Sequence, residues 1–525
     1  MKTNASIPEA IRDATTASRA SKVYRAAVVS LLLLSGCTVG PKYRPPEIVP
    51  PPTYKESSPA AYRAVAEGAW QPAQPQDAAL KGKWWESFNE PELNALEDQL
   101  NINNQNIAQY FQNFMAARAQ VREARASYFP TATVAPSYSR TRTPSTAAGG
   151  ASIPSGTGGG EKKVATTSTD MSLPFDVSWE PDLWGRIRNT VREFQYAAQV
   201  SAADLENERL AEQANLAVYY FELRGQDALQ DLYNRTIEAD RKSLELTRTL
   251  FETGIDNDEA VAQAEVTLKN AEAAGIGVAT NRALYEHAIA TLIGKSASDF
   301  SMPVRMLTTP VPAIPVGIPS QLLQRRPDIA AAERTMAQAN ALIGVGKAAY
   351  YPSLSLTGAG GLQSSAISTL FSAPALFWSL GASASETVFD AGLRRATVAQ
   401  YTATYNADVA SYKQTVLTAF QQVEDYIASL RVLSEQISRQ QAAVEAAQRY
   451  LDIANARYQT GLDPYLNVMS AELILLSDQQ TELTLRVSEM TAAVQLIQAL
   501  GGGWQGTQLP TPAQVTVQQK QSSKP

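Results

Sequence analysis

Two hydrophobic periods alternate along this chain, and the first of them is helical. Between Pro91 and about Tyr128, large apolar residues recur at spacings of three, four and seven: Leu93, Leu96, Leu100, Ile107, Phe111 and Phe114. These spacings predict helix. Two longer proline-free segments, Arg186 to Glu252 and Arg394 to Thr460, would each measure roughly 100 Å as a continuous helix. Because alanine-rich rods pack through heptad-like stripes, they predict a coiled-coil or tubular assembly.

The second period is two and predicts strands at about 131–143, 168–179, 353–362 and 377–388. The clearest example is Met171, Leu173, Phe175, Val177 and Trp179, which alternate with Ser172, Pro174, Asp176 and Ser178. Stretches of about ten residues with one apolar face are typical of transmembrane β-strands, although a soluble two-faced hairpin has the same alternation. Four strands cannot close a membrane barrel. Several chains would therefore have to share one barrel.

The second half of the chain repeats the first. Thr253-Gly254-Ile255-Asp256 reappears as Thr460-Gly461-Leu462-Asp463, and Leu292-Ile293-Gly294 as Ala499-Leu500-Gly501, both at an offset of 207. The first half carries about fifteen extra residues, whose glycine runs predict a loop. We assign repeats to 91–300 and 328–503, an inter-repeat linker to 301–327 and a flexible tail to 504–525. Repeated halves are typical of transport proteins, in which each half contributes an equal share of one pore.

The N-terminus has the form of an export signal. Basic residues precede an apolar run, 26–34, that is too short to span a membrane. The run ends at Leu34-Ser35-Gly36-Cys37, the form at which bacterial lipoproteins are cleaved and lipidated, and Cys37 is the only cysteine. An ordinary signal peptide is the alternative, and the long leader leaves open a start nearer Val23. We therefore assign 1–36 to the signal, Cys37 to lipidation, and 37–90 to an extended, proline-rich tether.

Composition argues against several classes of function. The net charge is −6, and no basic run is present to neutralise the phosphates of a nucleic acid. One histidine and one cysteine cannot build the usual nitrogen and sulfur metal sites. The sequence contains no phosphate-binding glycine motif and no catalytic constellation. We therefore expect a protein that is not an enzyme, that binds no cofactor or metal, and that takes its energy from a partner.

Several motifs resemble the outer-membrane factor family of tripartite exporters, the TolC and OprM type, and most closely its NodT-like lipoprotein branch. The motifs are Cys37-Thr38-Val39-Gly40-Pro41-Lys42-Tyr43, Trp84-Trp85-Glu86-Ser87-Phe88, Gly344-Val345-Gly346-Lys347-Ala348-Ala349-Tyr350-Tyr351-Pro352 and Phe420-Gln421-Gln422-Val423-Glu424-Asp425. The most specific is Ile318-Pro319-Ser320-Gln321-Leu322-Leu323-Gln324-Arg325-Arg326-Pro327-Asp328-Ile329, which is similar to the family's linker between halves. The resemblance covers nearly all of the chain after Cys37.

The resemblance implies a homotrimer in the outer membrane of a Gram-negative bacterium. Three chains would form a twelve-stranded β-barrel, continued by a long α-helical barrel through the periplasm. The glycine turns would be periplasmic tips at which an adaptor protein docks. The docking residues would be Gly254, Ile255, Asp256, Arg457, Tyr458, Thr460, Gly461 and Leu462.

The gate residues depart from the family pattern. Family members commonly carry aspartates six and nine residues after the second tip glycine, where this chain has Asn467 and Ser470. Asp258, Glu259 and Asp463 are the nearby carboxylates. We therefore expect closure to depend on inter-helix hydrogen bonds and salt bridges around Arg457, Tyr458 and Asp463 more than on an aspartate ring. A simple helix cap and solvated turn is the alternative for these residues.

The function implied is a passive exit duct for drugs or other small toxic compounds. An inner-membrane pump, of the resistance-nodulation-division type by this resemblance, would drive it through the adaptor. Two alternatives remain open from the sequence. One is the outer channel of type I protein secretion, and the other is a poreless, lipid-anchored coiled-coil protein.

Overall fold

A computed structural model describes residues 38–56, 82–146, 151–154, 161–307, 309–314 and 319–516. The predicted signal peptide and the lipidation residue Cys37 lie outside these residues. So do 57–81 of the predicted tether and 517–525 of the predicted tail.

Helices account for most of the described chain. They are α1 (Pro91–Asn103), α2 (Gln105–Ala126), α3 (Arg186–Glu252), α4 (Asp258–Leu292), α5 (Pro319–Arg325), α6 (Pro327–Ala348), α7 (Ile367–Leu370), α8 (Leu393–Gln459), α9 (Tyr465–Ala499) and α10 (Pro512–Thr516). The longest, α3 and α8, contain 67 residues each. Among helices of the described residues, none has both the length and the apolar composition needed to cross a membrane.

The strands are β1 (Thr131–Val134), β2 (Ser137–Thr143), β3 (Ala151–Pro154), β4 (Glu161–Val164), β5 (Thr166–Trp179), β6 (Ser353–Ser364) and β7 (Leu376–Ser385). The chain divides into two compact units. The first comprises 38–44, 118–196 and 337–407, and the second 45–117, 197–336 and 408–516.

The first unit contains an antiparallel sheet in the order β1-β5-β6-β7, in which β2 also pairs with β5. β1 and β2 follow one register against β5, because Val134 opposes Phe175 and Ser137 opposes Ser172. Pro136 lies in the gap between them, and a proline has no N–H to donate to the ladder. β1 and β2 are therefore one strand broken at a proline.

The two faces of this sheet differ as the period-two pattern predicts. One face carries Val134, Tyr138, Phe175, Trp378 and Leu380, all of them exposed large apolar residues. The opposite face is small and polar: Ser137 and Ser172 hydroxyls meet at 2.7 Å, and Gln363 donates to Asp170 at 2.9 Å. In the single chain the apolar face is uncovered.

Aromatic side chains collect where the strands meet the helices. Phe129, Tyr350, Tyr351, Trp179 and Phe389 flank the strands at this end and are all exposed. Trp184 stacks on Tyr351 with 4.8 Å between ring centroids, and its indole donates to the Pro352 carbonyl at 2.8 Å.

The first described residues dock at this aromatic end of the first unit. Val39 N–H donates to the Trp184 carbonyl at 3.0 Å, and Asn189 donates to the Val39 carbonyl at 3.0 Å. Gly40 has a φ of 138°, and a Cβ there would lie 2.8 Å from Gly344 Cα. The segment after Cys37 is extended, as predicted, but it is fixed to the helices.

In the second unit the predicted tether is wrong at its C-terminal end. Trp84, Trp85 and Phe88 form a short 3-10 helix and are buried. Phe88 packs against Phe221 of α3 at 5.0 Å between centroids. Tyr54, earlier in the segment, is only 2% exposed. Burial of these large rings makes 82–90 part of the core rather than a linker.

Buried ion pairs join the segments that flank the long helices of the second unit. Arg224 on α3, 1% exposed, donates to Asp227 at 2.7 Å and to Glu92 at 2.6 Å. Arg282 on α4 donates to the other oxygen of Asp227 at 2.7 Å. Arg305 donates to Glu90 at 2.9 Å. This buried ion network holds 90–92 and 302–305 against α3 and α4.

Three further predictions need correction. The predicted linker contains helix α5, and Arg326 within it is buried and donates to the Ala499 carbonyl at 3.0 Å. The predicted flexible tail is packed as far as residue 516, because Trp504 and Val515 are buried and Gln199 donates to the Pro510 carbonyl at 2.8 Å. The glycine-rich insertion, predicted as a loop, includes the paired strands β3 and β4.

We expect Arg224→Met to destabilise the protein by about 3–5 kcal/mol, because it leaves Glu92 without its close cationic partner and Asp227 paired with Arg282 alone. The measurement is chemical denaturation of the solubilised full chain, followed by helical ellipticity. Arg235→Met on the same helix is the control, since the Arg235 side chain is 71% exposed and pairs with Asp231; it should cost less than about 1 kcal/mol. Equal losses would contradict a structural role for the network.

Candidate functional site at the helical tips

Two glycine turns end α3 and α8 in the same way. In the first, Gly254 N–H bonds to the Phe251 carbonyl and Ile255 N–H to Leu250, both at 2.9 Å. In the second, Gly461 bonds to Tyr458 and Leu462 to Arg457, also at 2.9 Å. The glycine φ values are 74° and 70°. These are Schellman motifs, whose left-handed position favours glycine.

Both tips expose one large apolar residue beside the glycine. Ile255 is 67% and Leu462 70% exposed. No atom lies within 4 Å of a Cβ built on Gly254 or Gly461. Each turn therefore presents an open surface with a projecting aliphatic side chain. The predicted docking residues Gly254, Ile255, Gly461 and Leu462 all lie on it, while the Thr460 hydroxyl bonds back to its own helix at 3.1 Å.

A hydrogen bond joins the two tips. The Tyr458 hydroxyl donates to Asp256 Oδ2 at 2.7 Å and lies 3.1 Å from Thr247 Oγ1. The ring is 4% exposed and packs against Tyr465 at 5.5 Å between centroids. Burial, opposed by the contact with Thr247, raises the pKa of Tyr458 to about 12. The phenol therefore remains a proton donor throughout the physiological range.

A salt bridge closes the second tip on itself. Arg457 Nε and Nη2 donate to the two carboxylate oxygens of Asp463 at 2.5 and 3.0 Å. This pairing holds the pKa of Asp463 below its usual range. Such a two-pronged contact fixes the turn more firmly than a single hydrogen bond. Arg457 thus stabilises its own turn, whereas Tyr458 connects one tip with the other.

The remaining gate candidates do not converge on one point. Asp258 and Glu259 are exposed at the N-terminal end of α4, and Gln263 donates to Glu259 at 3.3 Å. Asn467 supports Asp463 and helps to lower its pKa. The Ser470 hydroxyl donates to the Leu466 carbonyl of its own helix at 2.8 Å.

Two buried acids lie on the helices that lead to the tips. Asp240 on α3 is 2% exposed, and one oxygen each of Asp240 and of Glu472 on α9 has no hydrogen-bond partner among the described residues. Burial raises the pKa of Asp240 to about 6. Burial and then the Asp240 charge raise the pKa of Glu472 to about 7, against an opposing contribution from Tyr465.

Sequence reasoning missed several residues of this site. Helical stretches with no local signal contain Thr247, Tyr465, Asp240 and Glu472. Only packing brings Thr247 and Tyr465 to Tyr458, and Asp240 and Glu472 to Tyr465. Asn257 could have been found, because an asparagine before Asp258 and Glu259 is a helix N-cap pattern. Its side chain accepts from Ala260 N–H at 3.0 Å.

Comparison with known proteins gives the same assignment over both halves of the chain. The model of the outer membrane efflux protein family matches residues 96–295 and 318–502. The probable efflux pump outer membrane protein TtgC of Pseudomonas putida is 31% identical over 479 residues, which are 91% of this chain and 94% of that protein. The toluene efflux pump outer membrane protein TtgC of another Pseudomonas putida strain is 30% identical, with the same coverage.

The fold agrees with a solved member of this group of channels. The outer-membrane channel OprN superposes with a TM-score of 0.79 at 28% identity, covering 89% of this chain and all of that one. The family resemblance seen in the sequence is therefore confirmed.

The buried acids give the stability a pH dependence of defined sign. Glu472 binds its proton more tightly in the folded chain, where its pKa is about 7, than in the unfolded chain, where it is about 4.3. The contribution of Glu472 to stability should therefore be fully present below about pH 4.3 and should be lost as pH rises to about 7. We expect Glu472→Gln to gain on the order of 2 kcal/mol at pH 8.

The measurement for Glu472→Gln is the thermal midpoint of the solubilised chain between pH 5 and pH 8. The variant should show a flatter pH profile as well as a higher midpoint at pH 8. Glu482→Gln on the same helix is the control, because it removes a carboxylate already paired with Arg486 at 2.7 Å. If both variants follow the wild-type profile, the buried acids do not set the pH dependence.

Proposed function

The chain belongs to the outer membrane efflux protein family, and we propose that it forms the exit duct of a tripartite efflux system. Its relatives are outer-membrane components of efflux pumps, and the family is one of channels rather than enzymes. The observation that carries the proposal is that this family match spans both repeats, which together supply the sheet and the two tips.

The edges of the sheet support an oligomer, and the family resemblance favours three chains. Within the described residues, β7 and the β1-β2 strand pair on one side only. A sheet edge in hydrocarbon leaves N–H and C=O groups unpaired, at a cost of several kcal/mol each. Joining β7 of one chain to β1-β2 of the next satisfies both edges. Three chains then give a twelve-stranded barrel with its apolar face in lipid, continued by an α-helical barrel in the periplasm.

The lipid anchor is proposed at Cys37. Thr38 is the next residue, and it packs against Gly185 so closely that a Cβ there would lie 2.6 Å from Thr38 Cγ2. Gly185 adjoins Trp184 in the aromatic end of the sheet. Tryptophan and tyrosine favour the membrane interface. Acyl chains on Cys37 would therefore start at the depth where they can enter the membrane.

The helical tips are the proposed docking surface for a periplasmic adaptor protein. Ile255 and Leu462 offer two projecting aliphatic side chains, 67% and 70% exposed. The open space around both tip glycines leaves room for close backbone approach. A partner could bury both side chains without rearranging the turns.

The proposed gate is the Tyr458–Asp256 hydrogen bond, not a ring of aspartates. Asn467 and Ser470 stand where the carboxylates of such a ring would be. The bond holds the end of α8 to the end of α3. Moving one tip away from the other must therefore break it. One buried hydrogen bond to a charged group contributes about 1.5–3 kcal/mol, which an adaptor's binding energy can overcome.

The cargo class we propose is drugs or other small toxic compounds, with energy from an inner-membrane pump of the resistance-nodulation-division type. Efflux relatives that cover nine-tenths of the chain support this choice over type I protein secretion and over a poreless structural protein. Selection of the compound would belong to the pump, because a wide water-filled duct binds cargo weakly.

Loss of the Tyr458 hydroxyl should open the channel. In planar bilayers Tyr458→Phe should conduct several-fold more than wild type, because the ring still fills its pocket while the bond to Asp256 is gone. Tyr450→Phe is the control, since Tyr450 lies on the same helix and is 44% exposed. If Tyr458→Phe conducts no more than Tyr450→Phe, this bond is not the gate.

Photo-crosslinking in vivo tests the docking surface and the partner. A photoreactive side chain at Leu462 should capture a periplasmic adaptor, while the same group at Tyr450 should capture it several-fold less. Capture of an adaptor with a proton-driven pump supports efflux. Capture with an ATP-driven transporter favours protein secretion, and capture of neither at Leu462 counts against the docking surface.

A further inference from the structure

Two arginines lie on the apolar face of the sheet. Arg140 and Arg142 in β2 oppose Thr169 and Thr167 in β5. Because alternate residues of a strand share a face, both arginines lie on the side of Tyr138 and Met171. Cationic groups are costly on a lipid-facing surface unless they reach the headgroups. Their position along the strand is therefore decisive.

The register places Arg140 at the edge of the apolar band that lies away from the aromatic end of the sheet. Trp179, at the aromatic end of the sheet, is ten residues along β5 from Thr169, the partner of Arg140. Ten residues span about 33 Å along a strand, or about 23–27 Å of height at the usual tilt of 35–45°. The apolar band of outer-membrane barrels is about 25 Å tall. Arg142 lies two residues further along β2, away from the aromatic end.

The two guanidinium groups are available to a ligand. Both arginines are exposed, and in the part of the chain that the structure describes neither forms an ion pair. In the β2–β5 register the adjacent carboxylate, Asp170, lies on the opposite face and accepts from Gln363. The directly opposed residues are small threonines, which leave the long side chains free to extend towards the headgroups.

We propose that Arg140 and Arg142 form a binding site for the phosphate groups of an outer-leaflet lipid. Arginine binds phosphate through paired N–H donors, and a basic residue near an anionic lipid surface gains affinity from its charge. The inference rests on the proposed function, because the apolar face meets lipid only if the sheet is part of a membrane barrel. With three chains in the channel, the site occurs once per chain.

The test is native mass spectrometry of the purified full chain titrated with diphosphorylated lipid A, or with lipid A from which both phosphates are removed. Wild type should bind the phosphorylated lipid more tightly. Arg140→Gln and Arg142→Gln should each weaken that binding about fivefold, and the double variant about twenty-five-fold. Binding of the phosphate-free lipid should not change.

A face-swap variant provides the matched control. Ser139→Arg combined with Arg140→Ser keeps composition and net charge but moves one guanidinium to the polar face. It should lose about as much affinity as Arg140→Gln. If the swap binds lipid A as wild type does, or if wild type does not distinguish the two lipids, the site is overturned.

Conductance separates this inference from the proposed function. Variants that conduct like wild type but have lost the preference for phosphorylated lipid support the site. Variants that conduct and keep full affinity overturn the site alone. If neither wild type nor Tyr458→Phe conducts, the channel and the lipid site are overturned together.

Discussion

The need to pair backbone polar groups governs both the sheet and the helical tips. At the tips, glycines in the left-handed conformation let the last carbonyls of α3 and α8 accept hydrogen bonds within the chain. The sheet has no such internal solution, since β7 and the β1-β2 strand each keep one unpaired edge among the described residues. One constraint thus yields a self-sufficient tip and a sheet that needs other copies of the chain.

The two repeats share a backbone plan but not their bonds. Tyr458 and Arg457 occupy the positions that Phe251 and Leu250 hold in the first repeat, at the same offset of 207. Asp463 therefore finds an arginine within its own turn, whereas Asp256 finds none there and accepts from Tyr458 of the other tip. Duplication supplied two equivalent turns, and two substitutions made one of them depend on the other. Because of this difference between the repeats, the first tip is held to the second by the Tyr458–Asp256 hydrogen bond.

Buried carboxylates in the second unit behave differently according to whether an arginine pairs with them. The network around Arg224 pairs its carboxylates and fixes the segments on either side of the long helices. Asp240 and Glu472 have no such cationic partner among the described residues, and burial raises their pKa values. The sequence assigns 82–90 to the end of the tether and 504–516 to the flexible tail. Their tryptophans and Phe88 are core residues instead. Only the structure reveals this, because it shows the surfaces of the chain against which these rings pack.

The sequence by itself determined the two hydrophobic periods, the duplication and its glycine turns, because these features are local and recur at fixed spacing. Its short motifs, which are also local, carried the resemblance to the family. It also identified Tyr458, Asp256, Arg457 and Asp463 as tip residues. Only the tertiary structure decided which of them bond to each other. It also decided that Thr247 lies against Tyr458 and that Asp240 and Glu472 lie near each other and near Tyr465. It decided as well that Arg140 and Arg142 share the apolar face. The reason is physical: several of these contacts join residues more than two hundred positions apart, and helix packing and strand register set them.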